Sequence, residues 1–478
     1  MYDVCIFAAV PYEKQYAAAK SWGCYRAAAE IRQHGMTCQV INYYNRFSYD
    51  DLINIMIKFI SNKTKAVGFS TSFLEHYKQD DKQITIDKTS FIINWVRTNF
   101  PDIKIICGGN STKELQNLDI DKSFKGFSEQ SFISYLTGSF IKFDFNKSTT
   151  TYIFNDLITE NDSPILEVGR GCIFSCKFCG FELNGKHKFD YLKDPEILRH
   201  ELIHNYENWG ITHYMLSDDT FNDSTFKVEQ LHKIFVSLPF KIKFNCYLRL
   251  DLLNAHPEQI PLLKEMGLIG TFFGVETFHE KSARLIGKGL NPKKSKKLLH
   301  DLKHKYWGDQ IKIGIGLIVG IPYDTYDNVY RTIDWIHDPT NKVDQVSTHP
   351  LFVKNPIYDN SLVNDSEFRK NPEKYGFSWP DGSLLNWKNS FSEIDTFNKA
   401  VDLHIEVNKA VTETSRWRGG GFNFLKNYTL TQYVDNKLTT DELLSLDRFQ
   451  YTKYLNDYIT EEIEQKCVNH YKERLLKL

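Results

Sequence analysis

The chain has 478 residues, enough for about three domains at roughly 150 residues each. Its 41% hydrophobic and 25% charged content speaks against global disorder, and a net charge of −1 leaves no overall electrostatic footprint for nucleic acid or an anionic membrane. No apolar run approaches the roughly 20 residues that span a bilayer; the longest, Ile311 to Pro322, carries Lys312 and three glycines and reads as a buried strand. The opening Met1-Tyr2-Asp3-Val4 lacks the basic region of a secretion signal. A cytoplasmic protein is the expectation, in which nine reduced cysteines bind metal where they cluster rather than pair as disulfides.

The first third alternates short apolar runs with helical patterns. Strands are predicted at Val4 to Val10, Thr37 to Asn42, Ala66 to Ser70 and Ile103 to Cys107, the last running into Gly108-Gly109. Helices are predicted at Ala17 to His34, Asp50 to Asn62 and Thr89 to Asn99. This alternation predicts an α/β domain over 1–140, with a Rossmann-like, doubly wound parallel sheet. Gly138 to Asp162 is polar and reads as a linker. Six further strands follow: Ile165 to Gly169, His213 to Leu216, Lys243 to Leu248, Thr271 to Val275, Lys312 to Val319 and Gln345 to Pro350. With helical patterns between most of them, they predict a partial (β/α)6 barrel over 160–355, working at the carboxyl ends of its strands. Residues 356–478 are expected to be mostly helical and to cover the open barrel.

Directly after the first barrel strand stands Gly171-Cys172-Ile173-Phe174-Ser175-Cys176-Lys177-Phe178-Cys179. Nine cysteines scattered over 478 positions would give this CxxxCxxC spacing with a probability of about 0.003. Thiolates so close on one loop can converge on a soft metal centre. Zinc or three unrelated buried thiols is the alternative, but structural zinc takes four ligands and only a lone His187 is near. A 4Fe–4S cluster normally takes four cysteines; with three, one iron stays open to a non-protein ligand.

CxxxCxxC with Phe178 before its last cysteine resembles the signature of the radical S-adenosylmethionine (SAM) superfamily. The resemblance implies that Cys172, Cys176 and Cys179 hold a 4Fe–4S cluster whose open iron chelates the amino and carboxylate groups of SAM. Reduction would then cleave SAM to methionine and a 5′-deoxyadenosyl radical. It also implies SAM contacts from Phe178, Ser217, Asp218, Asp219, Arg249, Glu276, Gly316 and Ile318. Ser217-Asp218-Asp219-Thr220-Phe221 departs from the family's Gly-Gly-Glu turn and is similar to the Asp-Asp-x-Phe variant of enzymes with an N-terminal cobalamin-type domain. Its carboxylates would neutralise the SAM ammonium; alternatively, the pair caps the next helix. Arg249 pairs with the SAM carboxylate or, structurally, with Asp251. Gly274-Val275-Glu276-Thr277 resembles Gly-Ile-Glu-Ser, with Glu276 on the ribose hydroxyls; a Glu ending an apolar strand is costly to bury without a partner. Gly314 to Thr325 resembles the adenine motif, its glycines admitting the ring to the backbone, with Tyr323 and Asp324 in place of Gly and Glu.

The first domain resembles the cobalamin-binding-type domain that precedes many such barrels, through the Ser21-to-Asn42 unit, Gly68-Phe69-Ser70, Gly108-Gly109-Asn110 and Gly126-Phe127-Ser128-Glu129. It lacks Asp-x-His-x-x-Gly, of which His34-Gly35 is a fragment. Any cobalamin would therefore be held without that lower axial histidine, its lower face open or blocked by a side chain such as Tyr12 or Phe73. The alternative is a scaffold or substrate domain. Three functions compete: a radical SAM enzyme that uses cobalamin to methylate an unactivated carbon; one without cobalamin, catalysing rearrangement, oxidation or ring formation; and a non-catalytic iron–sulfur protein, which has no use for Glu276. The expected partners are a small-molecule or peptide substrate and a reductant such as flavodoxin or ferredoxin, with no membrane and no nucleic acid. Arg416-Trp417-Arg418-Gly419-Gly420-Gly421-Phe422 could hold an anionic or planar group, or form a tight turn.

Overall fold

The computed structural model describes residues 2–10, 20–72, 74, 77–181, 192–358, 366–414, 430, 432–435, 438–446, 450, 453–454, 457–458 and 460–478. Tyr12, Phe73, His187 and the segment 416–422 lie outside them.

Five parallel strands form the first sheet: β1 (Val4–Ala8), β2 (Cys38–Asn42), β3 (Ala66–Ser70), β4 (Lys104–Gly108) and β5 (Lys122–Phe124), in the order 2-1-3-4-5. Every residue of β1 and β2 is buried, as expected of parallel strands covered on both faces. The order reverses at β1, which makes the carboxyl ends of β1 and β3 the place where such a sheet takes a ligand. β5 escaped the sequence reading because Lys-Ser-Phe buries only its last residue. The helix Gln79–Asn99 begins ten residues before its predicted start, since Gln79 to Lys88 is polar and mostly outward-facing.

The expected linker is packed instead. Tyr152, Leu157 and Ile158 are buried, Asp156 accepts two 2.7 Å hydrogen bonds from the Arg32 guanidinium, and Asp162 is buried in a salt bridge with Lys20. The polar composition of the segment is therefore used in pairing with the first domain.

The second sheet comprises β6 (Ile165–Leu166), β7 (His213–Leu216), β8 (Lys243–Leu248), β9 (Leu268–Glu276), β10 (Lys312–Val319) and β11 (Gln345–Pro350), all parallel and adjacent in chain order. This is the expected six-unit partial barrel. The helix Phe397–Thr412 packs on its β10–β11 side, and Leu430, Val434, Leu443 and Tyr454 gather around Ile269, near the start of β9.

The last helix, Glu461–Lys477, returns to the first sheet, while its Cys467 joins the cluster around Ile269 of the barrel. Val468, Tyr471 and Leu475 share an apolar cluster with Phe7, Ile55 and Phe59. The Tyr471 hydroxyl accepts from Asn42 N (3.1 Å) and donates to Val40 O (3.2 Å), occupying backbone groups of edge strand β2. Among the described residues no helix is long and apolar enough to cross a membrane.

Candidate active site

The cysteine loop leaves β6 through Gly171, whose φ of +96° is in the region that favours glycine. Cys172, Cys176 and Cys179 follow, each half-buried and none in a disulfide. Cys172 Sγ lies 3.2 Å from Thr220 Oγ1 and accepts from Phe174 N at 3.4 Å, while burial pushes its thiol above the usual range. Arg249 Nη1 donates to Cys176 Sγ at 3.4 Å. Among the described residues, no three His, Cys, Asp or Glu side chains are gathered closely enough to hold one metal ion. A cubane cluster makes a different demand, because it spreads its cysteine ligands over separate irons. Three thiols on one loop, with N–H donors aimed at two of the sulfurs, fit that demand.

Beyond β7 the turn divides its acids. Asp218 points inward: it accepts from Thr220 N at 3.0 Å and lies 2.7 Å from the buried Lys227 ammonium. Its charge is thus engaged beneath the turn, whereas Ser217 and Asp219 are exposed at the barrel mouth. The protein around Asp219 displaces water and, with the Asp218 charge, pushes its carboxyl up to about 6. Neither Asp caps the following helix, whose N-cap is Ser224.

After β8, Arg249 forms a two-pronged pair with Asp251, through Nε to Oδ1 (3.0 Å) and Nη2 to Oδ2 (2.6 Å). Its guanidinium carbon lies 3.8 Å from the Phe174 ring centroid. The structural pairing is present, and the nitrogen that remains, Nη1, faces the cysteine loop. Glu276 ends β9 with a φ of +67°, a strained value for a residue with a side chain. Its Oε1 is 3.3 Å from Lys288 Nζ, which also donates to Gly274 O at 2.7 Å. A Cβ on Gly274 would lie 2.4 Å from that same Oε1, so glycine is what lets the carboxylate fold back over its strand.

Phe178, Glu276, Gly316 and Ile318 line one cavity of about 530 Å³, together with Tyr247, Phe272 and His349. The volume is that of a small-molecule site. The β10 glycines serve a neighbour that the sequence did not suggest. A Cβ on Gly314 would lie 2.8 Å from the Phe272 ring, and one on Gly316 would lie 3.0 Å from it. Phe272 thus packs beside Gly316, and both line the cavity. His349 is another residue the motifs missed; it is exposed, and its Nε2 lies 3.3 Å from Ser347 Oγ. In the turn beyond β10, Asp324 is buried and accepts from Gly320 N at 3.0 Å; burial pushes its carboxyl up to about 7.

Residues 166–336, which carry the cysteine loop, Arg249, Glu276 and the β10 glycines, match the Radical SAM superfamily. This segment is a radical SAM domain. The chain is also 23% identical over 220 residues to an uncharacterized methyltransferase of Pyrococcus horikoshii, a match that spans 44% of each protein. Its fold is similar to that of TsrM from Kitasatospora setae, a radical S-adenosylmethionine methyltransferase solved with cobalamin and a [4Fe-4S] cluster. That likeness has 12% identity, a TM-score of 0.60 and coverage of 98% of this chain and 100% of that one. OxsB, a cobalamin-dependent S-adenosylmethionine radical enzyme solved with aqua-cobalamin and S-adenosylmethionine, matches at 15% identity and a TM-score of 0.52, over 70% of this chain and 52% of that one. At these identities the likeness establishes the fold, a doubly wound sheet ahead of a partial barrel.

The first sheet presents its carboxyl edge to the radical SAM domain. Glu129, which opens the helix after β5, is ion-paired with Arg170, two residues before Cys172. At that edge Gly109 has a φ of +121°, and a Cβ there would lie 2.8 Å from Ser72 N. The buried Ser111 Oγ has no hydrogen-bond partner among the described residues. The Gly109 approach is taken up by Ser72 of the same chain, so the unsatisfied Ser111 hydroxyl is the feature of this edge that fits a bound polar group. His34 stands elsewhere, at the end of its helix, with Nδ1 2.9 Å from Glu30 O.

Proposed function

We propose that this protein is a radical SAM enzyme whose cluster is held by Cys172, Cys176 and Cys179, and that its N-terminal sheet carries cobalamin for methylation of an unactivated carbon. The carrying observation is the convergence of Phe178, Glu276, Gly316 and Ile318 on one cavity at the carboxyl ends of the barrel strands. They come from the cysteine loop and two different strands, so the cavity is assembled only by the fold. When bound, the cluster supplies the electron for reductive cleavage of SAM, and cobalamin supplies a methyl-carrying cobalt.

The remaining tasks belong to the chain. The three thiolates bind iron, and Arg249, held by Asp251, places a cation beside Cys176. Glu276 accepts from the ribose hydroxyls, with Lys288 beside it fixing the direction of its carboxylate. Ser217 and Asp219 offer oxygens to the SAM ammonium, while Asp218 fixes the turn that presents them. Ile318 and Phe178 bury the nucleoside and exclude water. Tyr247, Phe272 and His349 remain to meet a small-molecule or peptide substrate, and a flavodoxin- or ferredoxin-type protein would deliver the electron.

Anaerobic reconstitution with iron, sulfide and added cobalamin tests the proposal. A brown protein with about four irons per chain and a corrinoid absorbance is expected, and alanine at all three cysteines should abolish the iron. The cob(II)alamin form should show no superhyperfine splitting from a histidine nitrogen. Tightly bound zinc without iron uptake would overturn the cluster. Iron uptake without cobalamin would leave the cobalamin-free enzyme, and a histidine splitting would overturn the axial assignment.

A further inference from the structure

An ion cluster at the root of the cysteine loop joins the two parts of the molecule that this function must hold in register. Arg170 donates through Nε to Glu167 Oε1 and through Nη2 to Glu167 Oε2, both at 2.9 Å, and the same Nη2 reaches Glu129. Glu129 belongs to the carboxyl edge of the first sheet, and Glu167 follows β6. Arg26, on the helix Trp22–Gln33 against the first sheet, donates to Glu167 Oε2 and Glu30 Oε2, each at 3.1 Å. The rings of Phe127 and Phe145 stand 4.5 and 4.6 Å from the Arg170 guanidinium carbon. No side chain of this five-member ion cluster is more than 14% exposed.

Burying so many charges is an inefficient route to stability, since packed apolar side chains commonly do as well. What a planar fork between two carboxylates supplies is direction. One residue further on, Gly171 turns the chain and delivers Cys172 to the half-buried face of the loop.

We propose that Arg170 is a positioning residue: it clamps the carboxyl edge of the N-terminal sheet to the cysteine loop and thereby sets where Cys172 stands relative to any ligand on that edge. The inference rests on the cluster assignment above. Its signature is that a substitution in the first domain disturbs a loop in the second. The test uses the reconstituted full-length protein with Glu129→Gln, Arg170→Lys and Arg170→Met, read by iron content, thermal melting, hydrogen exchange of residues 171–179 and electron paramagnetic resonance of the reduced cluster with SAM. Phe174, Lys177 and Cys179 supply hydrogen-bonded amides for the exchange measurement.

Glu129→Gln should retain iron and melt close to the wild type, yet exchange in the loop about tenfold faster, with the SAM-bound cluster signal split into more than one form. Arg170→Met should go further, and Arg170→Lys should recover part of the loss because it keeps the charge without the fork. Loop exchange within about twofold of the wild type in all three variants would overturn the clamp. So would a uniform rise across the barrel strands, which marks simple destabilisation. A wild-type protein that takes up no iron would instead sink the cluster assignment itself.

Discussion

Glu276 and Asp324 are both carboxylates at strand ends, and their surroundings separate their roles. Glu276 keeps a cationic neighbour in Lys288 and opens onto the cavity. Removing a charged hydrogen-bond acceptor from such a site costs about 1.5–3 kcal/mol, or roughly 10- to 150-fold in affinity. Glu276→Ala should therefore weaken SAM binding by that factor in equilibrium titration while the iron content stays the same; unchanged affinity would assign Glu276 to the structure alone. Among the described residues no cation pairs with Asp324, and burial raises its folded value to about 7. Below pH 4 both folded and unfolded chains hold the proton. Between about pH 4 and pH 7 only the folded chain holds it, so stability from this group falls as pH rises, by up to about 1.4 kcal/mol per unit, and levels off above 7. Asp324→Asn, which keeps an oxygen for Gly320 N, should flatten that part of the profile in urea unfolding between pH 5 and 7.5. An unchanged slope would show that Asp324 is ionised throughout.

At the scale of elements, β9 and β10 are fitted to each other by one ring. Gly314 and Gly316 leave a groove, and Phe272 from the neighbouring strand fills it. Gly314→Ala would place a methyl group 2.8 Å from that ring and 3.1 Å from Gln345 Oε1. Overpacking of this kind costs about 1–3 kcal/mol. The melting temperature of the apoprotein should fall accordingly, and Phe272→Leu should restore part of it. If the two substitutions are simply additive, the groove serves something other than Phe272.

At the scale of the whole molecule, the two ends of the chain meet. The last helix covers one face of the first sheet, and Tyr471 bonds the backbone of β2 across more than 400 residues of sequence. A lost buried hydrogen bond is worth about 1 kcal/mol, more where the partner groups are left unsatisfied. Tyr471→Phe should lower stability by about 1–2 kcal/mol in denaturant unfolding, with faster amide exchange at Asn42. Equal stability and exchange would mean that apolar packing alone holds the helix.

What the sequence determined by itself was local. Three cysteines within eight residues lie on one loop whatever surrounds them, and runs such as Lys243 to Leu248 and Lys312 to Val319 are apolar enough to be strands in place. The strand order of the barrel followed from regular alternation with helices. Short or polar pieces carried no such signal: β5 buries one residue, and the first half of Gln79–Asn99 faces mostly outward. The tertiary structure alone decided which groups those local pieces meet. Asp218 meets Lys227 beneath its turn, and Gly316 meets the Phe272 ring beside the cavity that both line. The polar linker became a packed segment once Arg32 and Lys20 supplied its partners, and the final helix was drawn to the first sheet by a matching apolar face. Periodicity and spacing record a residue's neighbours along the chain; burial and charge pairing depend on neighbours across it, and these exist only once the chain has folded.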